Sequence, residues 1–153
     1  MYTLTVMKVI KAPIEDVFEA FTDHEKLSQV FGVRSCVLTR YGNTEKNGLG
    51  AIRELDCGAI WLSEEITGFN RPHSMEYRIR ASRPSAQHEY GQVDFVVIPE
   101  GTKVIWTTRF GVQLLGIGKL VDPAFGIAFR IAFRLVLRNV EQRVLAAVKS
   151  SQV

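Results

Sequence analysis

From Ala124 to about Ser150 the sequence holds helical spacing with no interruption but Gly126, predicting one terminal helix roughly twice the usual length. Asp122 and Pro123 supply a start signal, since an acid favours the positive end of a helix and proline fits its first turn. Phe125, Phe129, Phe133, Val136, Val140 and Val144 make one apolar face, and Ile127, Ile131 and Leu135 add a further apolar row along the first half. Arg130, Arg134 and Arg138, spaced four and four, are expected to point to solvent. Little polar surface is left on that first half, so something other than water must cover it.

The rest of the chain reads as sheet. Residues 2 to 10 alternate, with Tyr2, Leu4, Val6 and Ile10 on one side. Pro13 opens a short amphipathic helix that turns Ile14, Val17, Phe18 and Phe21 inward. Asp23 caps a second short helix that ends at Gly32 and is expected to carry Leu27, Val30 and Phe31 inward. From Val33 to about Phe110, short runs rich in β-branched and aromatic residues alternate with turn chemistry, and six further strands fit. The breaks fall at Tyr41 to Gly50, Cys57-Gly58, Gly68 to His73, Ala81 to Ala86 and Glu100 to Thr102. Connections this short exclude crossover helices and predict an antiparallel meander. Gly111 to Lys119 is apolar and glycine-rich, as suits a mobile connection to the terminal helix.

A chain of 153 residues, 46% of them hydrophobic, can bury one core, and we expect one domain over residues 1–153. Its 19 basic and 16 acidic residues are dispersed, and a net charge of +3 gives no footprint for nucleic acid. The first residues lack a signal peptide's apolar block, so a soluble, cytoplasmic protein is expected. Cys36 and Cys57 stand 21 positions apart without a neighbouring ligand, which fits free thiols better than a metal pair or a disulfide. His24, His73 and His88 show no metal-ligand spacing and are expected at the surface; neither a metal nor a cofactor is expected. No nucleophile elbow, phosphate loop or triad order is present.

Several pieces, in order, carry a resemblance: Ala12 to Phe18 after the first strand, Gly48 to Arg53, Glu64-Glu65-Ile66, Pro72 leading to Tyr77, and Gly101 to Trp106. Together they resemble the START-related helix-grip (SRPBCC) superfamily, in its polyketide cyclase/dehydrase and lipid-transport branch. The resemblance covers nearly the whole chain. It implies an α+β fold: a seven-stranded curved antiparallel sheet, two short helices after strand one, and a long C-terminal helix gripped by the sheet. It also implies a cavity for an apolar molecule such as a sterol, lipid or polyketide. A strongly curved sheet closes poorly on a cylinder, which gives such a cavity a physical reason.

Candidate site residues follow from strand alternation. Ile60, Leu62, Glu64 and Ile66 share one face, which turns the Glu64 carboxylate inward, where it must be paired or hydrogen-bonded. Arg53, between Ala51 and Leu55, obeys the same logic. The two either form a structural ion pair or serve a ligand: Arg53 holding a carboxylate or phosphate, Glu64 binding a hydroxyl or acting as general base. Met75, Tyr77, Val104, Trp106 and Thr108 are expected to wall the cavity from the sheet, and Phe129, Phe133 and Val136 from the helix.

Three functions fit. The first is binding or transport of a hydrophobic small molecule, with Gly111 to Asp122 as entrance. The second is an aromatase/cyclase-type enzyme using Glu64 and Arg53. The third is a protein-interaction module that uses the C-terminal helix and the apolar loop; separately, the apolar Val112 to Phe129 region, with Leu114, Leu115 and Ile117, is a candidate for transient membrane contact or a homodimer seam.

Overall fold

The computed structural model describes residues 1–112 and 117–151. Its elements run β1 (Tyr2–Ile10), α1 (Ile14–Thr22), a 3-10 helix (His24–Gln29), β2 (Ser35–Arg40), β3 (Ile52–Asp56), β4 (Trp61–Asn70), β5 (Ser74–Arg83), β6 (Ala86–Ile98), β7 (Gly101–Val112) and α2 (Gly118–Ser151). The seven strands form one antiparallel sheet in the order β1-β7-β6-β5-β4-β3-β2. The sequence pattern placed every strand and the two short helices, and this is the helix-grip fold that the resemblance implied. No described helix is long and apolar enough to cross a membrane.

Four departures from a regular ladder bend the sheet around α2. Arg80 is an extra residue opposite Ser63 and Glu64, Thr67 is extra between Ile66 and Gly68, Glu89 is extra between His88 and Tyr90, and a fourth irregularity lies at Leu38/Arg40. Each inserted residue increases local twist and re-aims its neighbours. Strands β5 and β6 pair only from Ser74–Asp94 to Tyr77–Gly91 and part beyond that point. At Gly91 a β-carbon would lie 2.1 Å from the Tyr77 ring, so glycine is what lets that ring lie across the neighbouring strand.

The terminal helix differs from expectation at its start. It begins at Gly118, and Pro123 lies inside it, forfeiting the one hydrogen bond that its missing N–H would have made near the helix start. Asp122 acts as a tether to the sheet: it is buried, and its Oδ1 accepts the Val112 N–H at 2.8 Å. Gly126 sits where a β-carbon would meet the Tyr2 ring at 2.4 Å, allowing the helix to close on β1. Gly111 and Val112 extend β7, so the expected entrance segment is shorter than the sequence suggested. Its centre, with Leu114 and Leu115, lies outside the described residues.

The arginine stripe and the extra apolar row also need correction. Arg134 and Arg138 are exposed, but Arg130 is half-buried and donates from Nη1 to the Thr5 carbonyl at 3.1 Å. Ile127 and Ile131 face outward at 63% and 55% exposure, with nothing in the described chain covering them. Phe31 is likewise turned out, at 88% exposure, because the chain leaves the 3-10 helix in an extended conformation at Val30.

Candidate functional site

Between the sheet and α2 lies a cavity of about 230 Å³. Its sheet wall includes Leu55, Leu62, Ile79 and Phe110, and its helix wall Phe125, Phe129, Phe133 and Val136. The mouth is marked by lining residues that reach solvent: Phe31 and Gly32 after the 3-10 helix, and Ala128 and Ala132 on α2. Ser82, Pro84 and Ala86 line it where β5 and β6 part.

Of the residues expected at the site, Arg53, Glu64, Tyr77, Trp106, Thr108, Phe129, Phe133 and Val136 line this cavity. Met75 and Val104 do not. Both are fully buried in the packed core instead, since the curvature that opens the space at one end of their strands closes it at the other. There Phe18 meets Phe69 and Phe95, each at 5.1 Å between ring centroids, and Phe21 meets Phe95 and Trp106 at 5.6 and 5.2 Å. Trp106 forms the partition, its other face stacked on Phe133 at 3.7 Å.

The polar end of the cavity rests on a cross-strand pair. Arg53 on β3 stands directly opposite Glu64 on β4, and both are buried. Arg53 donates from Nε to Glu64 Oε2 at 2.7 Å, and its Nη2 lies 2.7 Å from the same oxygen in an ion pair. Its Nη1 donates to His24 Nδ1 at 2.9 Å, and its guanidinium carbon lies 5.6 Å from the centre of the Tyr77 ring. Burial opposes the arginine's charge, but the adjacent carboxylate outweighs it and raises its pKa.

His24 is therefore a core residue and part of this cluster, contrary to the surface position expected. The 3-10 helix that it opens points the ring inward, where Nε2–H donates to the Asn47 carbonyl at 2.9 Å and Nδ1 is left to accept from Arg53. Burial, with the Arg53 charge second, lowers its pKa to about 3 and keeps it neutral. It lies behind Arg53, away from the cavity lining.

His88 also leaves its expected surface place. The extra residue at Glu89 shifts the alternation of β6, and Nδ1 accepts the Ile79 N–H, at 3.0 Å, that the parted strands leave unpaired. Burial lowers its pKa, so Nε2–H donates to Thr108 Oγ1 at 3.0 Å. Thr108 passes its own proton toward the Tyr90 carbonyl at 3.3 Å. Tyr77 accepts from Trp106 Nε1 at 2.9 Å. Nothing local in the sequence announces either histidine; the even number of residues, Glu89 and Tyr90, between His88 and the inward position Gly91 is the one available hint.

Residues 1–145 match the family model described as polyketide cyclase/dehydrase and lipid transport. The chain belongs to this family. No protein with curated annotation matches it in sequence. Among solved structures it is similar to TTHA0849 from Thermus thermophilus, at 19% identity, with 95% of this chain and 99% of that one covered and a TM-score of 0.78. A START superfamily protein from Mycobacterium smegmatis is similar at 15% identity, 92% and 97% coverage and a TM-score of 0.70. Major latex-like protein 151 from Panax ginseng is similar at 18% identity, 93% and 96% coverage and a TM-score of 0.67. At such identities the likenesses speak for the fold. Family and fold together fit a polyketide cyclase-like or hydrophobic-ligand-binding protein.

Proposed function

We propose that this protein binds and carries a hydrophobic small molecule of about one to two rings in the cavity under α2. The observation that carries the reading is the space itself: about 230 Å³ walled by aliphatic and aromatic side chains, with polar groups gathered at one end. A cavity of about 150 Å³ lined by such residues holds benzene, so the volume suits a somewhat larger aromatic or alicyclic body. A sterol or long acyl chain would need the walls to move.

Purified protein extracted with organic solvent should release an apolar compound in stoichiometric amount, or the emptied protein should take up an aromatic probe saturably at one site per chain. A protein that binds no apolar probe and releases nothing overturns the reading.

The Glu64 carboxylate beside an apolar chamber supports a second reading, an aromatase/cyclase-type reaction with Glu64 as general base. Binding is the better supported of the two, because the groups behind Glu64 form no proton relay. Arg53 only donates, and both nitrogens of His24 are engaged away from the cavity. Turnover of a poly-ketone analogue that disappears in Glu64→Gln, with binding retained, would favour the enzyme.

A further inference from the structure

The polar end of the cavity has an uneven hydrogen-bonding capacity. Arg53 is held by Glu64 through Nε and Nη2 and by His24 through Nη1, and its charge is matched by Glu64. Trp106 N–H is spent on Tyr77. With Trp106 and His88 both acting as donors, Tyr77 and Thr108 accept, and the Thr108 hydroxyl proton is directed to the Tyr90 carbonyl.

One acceptor is left over for a guest. Both short contacts from Arg53 fall on Glu64 Oε2, and among the described residues Oε1 has no hydrogen-bond partner, although the side chain is only 7% exposed and lines the cavity. A buried carboxylate oxygen in an apolar chamber gains from a donor brought by a ligand. A second carboxylate brought there would face Glu64 at low dielectric, with Arg53 already neutralised, and would be repelled.

On the cavity-binding reading above, we propose that the ligand is a neutral apolar molecule bearing a hydroxyl or comparable N–H donor, seated on Glu64 Oε1, and that carboxylate-bearing analogues are excluded. This assigns Glu64 as the specificity-determining residue.

The test compares 2-naphthol, 2-methylnaphthalene and 2-naphthoate on the unmodified protein by titration calorimetry at pH 7. There the naphthol keeps its proton and the naphthoate is ionised. The expected order is naphthol tighter than methylnaphthalene by about tenfold or more, with naphthoate weakest. Naphthoate binding as tightly as naphthol, or a hydroxyl that adds nothing over a methyl group, overturns this inference and leaves the apolar cavity standing. Failure of all three to bind overturns the cavity-binding reading itself. In Glu64→Gln the guanidinium loses its counter-charge, and the preference should turn toward naphthoate. Because the unmodified protein decides the ligand series alone, the test survives a variant that fails to fold.

Discussion

The two ends of the space between sheet and helix are built from similar side chains and end in opposite states. At one end α1 wedges in, and Phe18, Phe21, Phe69 and Phe95 meet edge to face until nothing is left open. At the other, α2 faces the sheet with only the edge of the 3-10 helix beside it, β5 and β6 part, and Phe110, Phe125 and Phe129 line a void. Aromatic content does not decide which end is solid. A third layer does: where a helix is interposed the curvature of the sheet is filled, and where none is, the remaining space is propped by a polar network that cannot collapse without orphaning charges.

The props can be removed one at a time, and the ion pair should matter most. Arg53→Met leaves Glu64 buried without its counter-charge, and a loss of about 3–5 kcal/mol in unfolding free energy is expected from chemical denaturation. A loss below about 1 kcal/mol would show that the hollow end does not depend on the pair.

Next comes the same truncation made at both ends. Phe18→Ala, from a fully buried position, should cost about 3–5 kcal/mol, the range for a large cavity opened in a packed core. Phe129→Ala removes a half-buried ring that already borders open space, and below about 2 kcal/mol is expected. Equal losses in matched denaturation curves would mean that the two ends are packed alike.

Acid probes the props without changing the ligand walls. The folded protein holds His24 neutral down to about pH 3, whereas the unfolded chain protonates it near its ordinary 6.5. Its contribution is therefore fully present above pH 6.5 and is lost as pH falls from 6.5 toward 3, with unfolding taking up one extra proton in that window. The slope is about 1.4 kcal/mol per pH unit. In His24→Gln, which keeps a donor and an acceptor but does not titrate, the stability-against-pH curve should be flatter by that slope. Parallel curves would place His24 in solvent.

The solid end was legible in the sequence because it follows from periodicity. Phe18 and Phe21 sit on one helical stripe, and simple alternation turns Met75 to the inward face of its strand. The hollow end was legible only in outline. His24 turns inward because of the 3-10 helix, and His88 because of one extra residue on β6; each depends on backbone geometry that residue spacing does not encode. Phe31 and Ile127 fit an inward pattern yet face out, since a stripe records apolarity and leaves open what covers it. The same gap placed Met75 and Val104 at the cavity: alternation gives the face of a strand, and the position of α1 decides which part of that face stays open.

The smallest expected change in stability belongs to a substitution that makes the hollow end resemble the solid one. Val136 on α2 is buried and lines the cavity, so Val136→Phe projects a ring into space that is already present. Overpacking is costly in a filled core, but here the added ring gains apolar contacts without displacing its neighbours, and stability should change by no more than about 1 kcal/mol in either direction. Uptake of an aromatic probe should fall by about tenfold or more, because the ring occupies the volume that the ligand needs. A variant that is destabilised like Phe18→Ala would mean that the space near Val136 is not open. One that stays stable and binds the probe undiminished would move the ligand elsewhere, and the contrast between the two ends would lose its functional meaning.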